Sequence, residues 1–479
     1  MNLRMKDKAA AFNNPTHGRI NRIYRIRQDW RARTRRSRKG DAKNVCRRSL
    51  KSGTEKSDVK LWKSETMKSR STNMGFEDAA VHVSAAKQDS FVPLDYRPIS
   101  ADSHVTEPPN CYIDNIDPKY RDIAPHVVKG PAGGDVFVVD RMEMKIPMGG
   151  MAAAGRDPRE MKMDTATFEE LHRGGWDGAA RVNDQILDGV DGEIIYPTVG
   201  MLLCNHPDPD YKRACFEAYN RWLLEFQSAA PKRIFGTGQT VVRSVKEAID
   251  DFQRIREMGL WGVMMPCDPS TDVDYDDPSF DPLWQAAVDL KLPLSFHILT
   301  SGRDAGAGVG HVASQRGKGK ANMFHGLIRA NQDVISMFIW GRIFERFPEL
   351  KICCVEADAG WAPHFMYRMD HFYNRHRFWS KTDTMNKLPS VLFRENVYLT
   401  FQDDFVAFNT VDMMNPCRLM WANDFPHSDS TWPWSQQMLA RQTHNLADRD
   451  RRRILRDNVI DLYNLPLART DAVSTAAST

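Results

Sequence analysis

The sequence predicts a (β/α)₈ barrel, carrying insertions after the first and fifth strands and preceded by a basic N-terminal extension. Three observations predict it. From Arg97 onward, short apolar runs alternate with helix-patterned segments, and regular alternation implies parallel strands. The runs number eight, and eight β-α units over roughly 370 residues suit a barrel, with a doubly wound open sheet as runner-up. Several runs end in polar residues, which places those residues at one mouth.

In order, the strand runs are "RPISADSH", "GEIIYPT", "RIFGTGQTV", "LWGVMMPC", "LPLSFHI", "LKICCVEA", "ENVYLTF" and "RLMWAND". Between them lie helices such as "WDGAARVNDQILDGV" and "SVKEAIDDFQRIREMG". The second of these has clear ends: Ser244 and Glu247 form a capping box, Ile249, Phe252 and Ile255 make an apolar stripe, and Gly259 suits the position after the last turn. Asp281 and Pro282 open the next helix. The insertion after strand one, about Glu107 to Arg173, contains "GDVFVVDRMEMKIPMGG", which reads as a hairpin. The insertion after strand five, "SGRDAGAGVGHVASQRGKGK", fits neither G-x-G-x-x-G nor the P-loop and reads as a lid.

Composition divides the chain. Residues 1–73 hold 22 Lys+Arg against 6 Asp+Glu, a charge of +16; with +4 overall, the remainder carries 4 − 16 = −12. Residues 1–90 are expected to be a disordered basic extension, 97–466 the barrel and 467–479 a flexible tail. The extension lacks zinc-finger spacing, heptads and an RNA-binding aromatic motif, so nucleic acid is not expected as a partner. The eight cysteines show no CxxC pair, and no run suits a membrane helix. The expectation is a cytoplasmic protein acting on a small molecule, with a homo-oligomer compatible.

If the strands are parallel, Asp102 and His104 from strand one, His297 from strand five, Glu356 from strand six and Asp424 from strand eight converge. Asp102 and His104 share a strand face because side chains alternate. Two imidazoles and three carboxylates in one cleft suit a divalent metal with an open position. Taken singly, each has a plainer use: Asp424 as a turn cap, Glu356 paired with Arg368 or His364 in the next helix. Glu107 is a candidate for a second metal or for supporting His104 by a hydrogen bond. His427, His325 and Trp432 are candidates for substrate contact, with structural packing as the plainer alternative.

Together, "ADSHVTEP", "LPLSFH", "VEADAGWAPHFMYRMD", "LMWANDFPH" and "RRRILRDNVIDLYNL" make the region from about Pro98 to Leu465 resemble the amidohydrolase-related family that includes aminocarboxymuconate semialdehyde decarboxylase and the resorcylate-type decarboxylases. By position the resemblance implies Asp102, His104, His297 and Asp424 as metal ligands. Two departures stand out. Asp102 occupies a place where the family has His or Glu, and Glu356 stands where its decarboxylases usually carry a catalytic His.

The resulting expectation is a metal-dependent hydrolase of an ester, lactone or amide bond in a small organic substrate. One or two divalent ions, zinc first with manganese or iron as alternatives, activate water. Asp424 takes its proton and Glu356 assists or bridges a second ion. Glu356 tilts the choice towards hydrolysis, because an ordinary glutamate is a better base than proton donor at neutral pH. Non-oxidative decarboxylation of an aromatic or unsaturated carboxylic acid is the alternative.

Overall fold

The computed structural model describes residues 94–142, 145–301 and 326–470. The N-terminal extension, the lid sequence after strand five and His325 lie outside the described residues, as does the tail from residue 471.

Eight parallel strands form a nearly closed barrel in the order β1 (Ile99–His104), β5 (Gly192–Tyr196), β6 (Ile234–Gln239), β7 (Gly262–Met265), β8 (Leu294–His297), β9 (Ile352–Val355), β10 (Val397–Phe401) and β11 (Leu419–Trp421). They fall within the eight apolar runs. Every residue in these strands is buried, as expected for parallel strands covered by helices outside and side chains within. The flanking helices include α1 (Gly178–Asp188), α2 (Val199–Leu203), α3 (Pro209–Ser228), α4 (Val245–Glu257), α5 (Asp281–Leu290), α6 (Arg329–Trp340), α7 (Ala362–His376), α8 (Pro389–Asn396) and α9 (Asn458–Tyr463).

Local chemistry sets the helix ends. Asp177 caps α1 by accepting from Ala179 and Ala180, and Gly189 leaves it at φ 74°, a left-handed conformation cheapest for glycine. Ser244 accepts from the Glu247 amide at 3.2 Å. The reciprocal half of the capping box is not made, because the Glu247 carboxylate takes Arg243 and Arg213 instead.

The insertion after β1 carries the expected hairpin, β3 (Asp135–Val138) with β4 (Ile146–Pro147), and a third strand, β2 (His126–Lys129), pairs with β3. "HVVK" is short and only partly buried, so no apolar run announces it. Inside the barrel, the Tyr196 hydroxyl meets Ser295 Oγ at 2.8 Å and the Tyr463 hydroxyl of α9 at 2.9 Å.

The ring closes where β11 meets β1, through bonds just past the ladder. The Asp424 amide donates to the Asp102 carbonyl at 3.0 Å, and the His104 amide to the Phe425 carbonyl at 2.8 Å. Arg181 of α1 lies beneath this seam, fully buried, donating to the His104 carbonyl (2.8 Å), the Phe425 carbonyl (3.0 Å) and the Glu193 carboxylate (2.6 Å). Asn423 ties in Ser103, accepting its hydroxyl at 2.8 Å.

Candidate metal centre

The five polar strand ends do converge. Asp102 and His104 belong to β1, whose pairing with β5 shifts register between Ser100 and Ser103. His297 ends β8. Glu356 and Asp424 lie beyond β9 and β11, both at φ 56°, an uncommon conformation for non-glycine residues that the surroundings must enforce. The Glu356 amide is held by Thr400 Oγ1 at 2.9 Å, and that of Asp424 by the seam.

Nε2 of His104 lies 3.4 Å from Asp102 Oδ1, 3.5 Å from Glu356 Oε2 and 3.5 Å from Asp424 Oδ1. Nε2 of His297 lies 3.6 Å from Asp102 Oδ1 and 3.4 Å from Glu356 Oε2. Two ligands at a tetrahedral angle on bonds of about 2.1 Å stand roughly 3.4 Å apart. Both imidazoles turn their other nitrogen to a carbonyl: Nδ1 of His104 to Pro197 at 3.0 Å, Nδ1 of His297 to Ile298 at 3.1 Å. Since a carbonyl only accepts, Nδ1 carries a proton, and in the neutral ring the Nε2 lone pair points inwards.

The inward atoms have no hydrogen-bond partner: both oxygens of Asp102 and of Asp424, Nε2 of His104 and of His297, and Oε2 of Glu356. Buried polar atoms are normally paired, so this concentration of orphans fits a divalent cation. Glu356 turns into the cluster rather than to Arg368 or His364, and the Asp424 carboxylate is not used as a cap.

Titration follows from the crowding. Burial works to raise the Asp102 carboxyl, yet the imidazoles of His104 and His297 hold it well below the usual carboxylate range. Burial opposes protonation of His104, but Asp102 and Glu356 hold its imidazole well above its ordinary value. Asp424 is pushed up by burial, with Asp102 and Asp429 adding to it against the pull of His104. A cation reverses such conflicts, favouring ionised carboxylates and neutral imidazoles together.

The remaining candidates divide. His427 joins the cluster: it stacks on His104 with ring centroids 4.0 Å apart, and its Nδ1 lies 3.0 Å from Asp424 Oδ1. Burial, with the His104 charge beside it, pushes its pKa down to about 3. Glu107 is buried one layer out, where its carboxylate accepts from the amides of Thr198, Val199 and Gly200 at 3.1–3.2 Å. It fixes the start of α2 and makes no bond to His104. Trp432 packs on His172 and Phe425 and donates to the Asp184 carbonyl at 3.1 Å, outside the donor cluster.

Sequence reasoning passed over Arg181, Asn423 and Thr198. Their partners are groups on distant segments, and no local spacing signals that.

The family described as amidohydrolase matches residues 210–465, more than half of the chain. A curated relative, the 2-amino-3-carboxymuconate-6-semialdehyde decarboxylase of Dictyostelium discoideum, is 24% identical over 221 residues; the match covers 45% of this chain and 57% of the relative's length. Among solved structures, an amidohydrolase from Mycobacterium avium subsp. paratuberculosis K-10 has a TM-score of 0.63 at 20% identity, covering 77% of this chain and 100% of its own. The 5-carboxyvanillate decarboxylase of Novosphingobium aromaticivorans DSM 12444, complexed with manganese, has a TM-score of 0.56 at 19% identity, covering 78% and 97%. The 2,6-dihydroxybenzoate decarboxylase from Rhizobium has a TM-score of 0.52 at 14% identity, covering 77% and 99%. At these identities the structural likeness concerns the fold.

Proposed function

Because the chain belongs to the amidohydrolase family, we propose that it is a non-oxidative, divalent-metal-dependent decarboxylase of a small aromatic or unsaturated carboxylic acid. The observation that carries this reading is the reaction of the curated relative, a decarboxylase. Two structural neighbours, decarboxylases of 5-carboxyvanillate and 2,6-dihydroxybenzoate, agree with it. Hydrolysis, towards which Glu356 tilted the sequence reading, is the second reading; the carboxylate in place of an imidazole at strand six is what still favours it.

Asp102, His104, His297 and Asp424 would hold a divalent ion, which would supply Lewis-acid chemistry to the substrate's carboxylate. Two carboxylates and two imidazoles suit manganese as well as zinc. The protein's part is to hold these donors rigid and dry. The Glu356 side chain is 15% exposed while those of Asp102, His104, His297 and Asp424 are at most 1%. Glu356 is therefore the residue placed to deliver a proton to the substrate carbon as the bond to carbon dioxide breaks.

The test is a panel of aromatic and unsaturated carboxylic acids, alongside esters, lactones and amides, offered to the metal-loaded protein. Carbon dioxide release with a protonated product is the expected result. Hydrolysis without carbon dioxide from any acid in the panel overturns the proposal in favour of the second reading.

A further inference from the structure

Taking the metal-centre reading as its basis, we propose that His427 is an additional metal ligand through Nδ1, and that Thr198 prepares it by fixing its tautomer. Thr198 follows β5, and its hydroxyl lies 2.6 Å from the Val105 carbonyl and 2.9 Å from His427 Nε2. A hydroxyl has one proton, and a carbonyl can only accept. The shorter contact takes the proton, so the Thr198 oxygen meets Nε2 with a lone pair and Nε2 must carry the ring hydrogen. In a neutral imidazole the lone pair is then on Nδ1.

That nitrogen lies 3.0 Å from Asp424 Oδ1. Asp424 Oδ1 nevertheless has no hydrogen-bond partner, so the contact is not a hydrogen bond. Two lone pairs facing at this distance inside a protein repel, and a cation bound by both removes the repulsion. Two ligands at right angles on bonds of about 2.1 Å stand roughly 3.0 Å apart.

His104, Glu356, Asp424 and His427 place donor atoms within 4.8 Å of one another, as do Asp102, His104, His297 and Glu356. The two groups share His104, whose Nδ1 is committed to Pro197. Its single remaining lone pair cannot serve two ions. The groups therefore describe one ion at a time, and His427 enters its ligand set through Nδ1 beside His104 and Asp424.

The experiment loads purified full-length protein with manganese(II) alone. Pulsed EPR counts coordinated imidazole nitrogens, and chelator competition gives the affinity. His427→Phe is expected to lower the count by one and weaken binding at least tenfold. Thr198→Val, which keeps the shape without the hydroxyl, is expected to weaken binding in the same direction, with Thr198→Ser restoring it. An unchanged count in His427→Phe with manganese bound overturns the ligand role while leaving the metal centre in place. Equal impairment in Thr198→Val and Thr198→Ser overturns the tautomer role, and a wild-type chain that binds no manganese overturns the metal centre as well.

Discussion

The two sides of the proposed metal centre are built differently. Asp102, His104 and Asp424 sit on the β11–β1 seam, where two backbone bonds join the ligand-bearing segments and Arg181 grips carbonyls from both. His297 and Glu356 sit on β8 and just beyond β9; Glu356 is placed by one bond from its amide to Thr400 and is the most solvent-exposed of the five strand-end donors. The seam fixes position, whereas the opposite side leaves a carboxylate accessible. A centre that must hold an ion yet admit a substrate and move a proton needs both, and separating them lets one side stay rigid while the other reacts.

The largest effect expected is loss of the ion. His297→Ala or Asp424→Ala should strip the metal, read as metal per chain, and lower turnover on the order of a thousandfold or more. Retention of full metal by both variants would break the comparison outright. Arg181→Met addresses the seam alone. Removing a buried guanidinium leaves Glu193 uncompensated, a loss of roughly 3–5 kcal/mol, read by denaturant unfolding, with weakened metal binding accompanying it.

Glu356→Gln addresses the accessible side. It should lower turnover about a hundredfold while thermal stability stays near wild type. A variant that loses stability but not rate would exchange the roles assigned to the two sides. The smallest effect belongs to Thr400→Val, which removes one hydrogen bond from the Glu356 amide: about 1 kcal/mol, with a measurable fall in turnover and little change in metal content.

Much of this was legible in the sequence. The eight runs became the eight barrel strands because parallel strands, buried on both faces, are predominantly apolar, and the five donors stood out as polar interruptions towards run ends. Arg181 was hidden because it sits inside an ordinary helix pattern and its partners are carbonyls at His104 and Phe425, 77 and 244 positions away. Thr198 closed a quoted run, but its use depends on His427, 229 positions later. The choice between reactions was not legible either: the same donors serve hydrolysis and decarboxylation, and Glu356 weighed towards the reading that the relatives favour less.

The seam also sets an order of events during synthesis. Asp102 and His104 leave the ribosome some three hundred residues before Asp424, and the Ser103 hydroxyl waits 320 positions for Asn423. A nascent chain therefore exposes β1 with an unclosed edge through most of translation. Contacts this distant in sequence are slow to form. The proposed ligand set can be completed only after β11 emerges, so metal loading would be a late, post-closure step, and a chain halted before Asp424 would offer half a site.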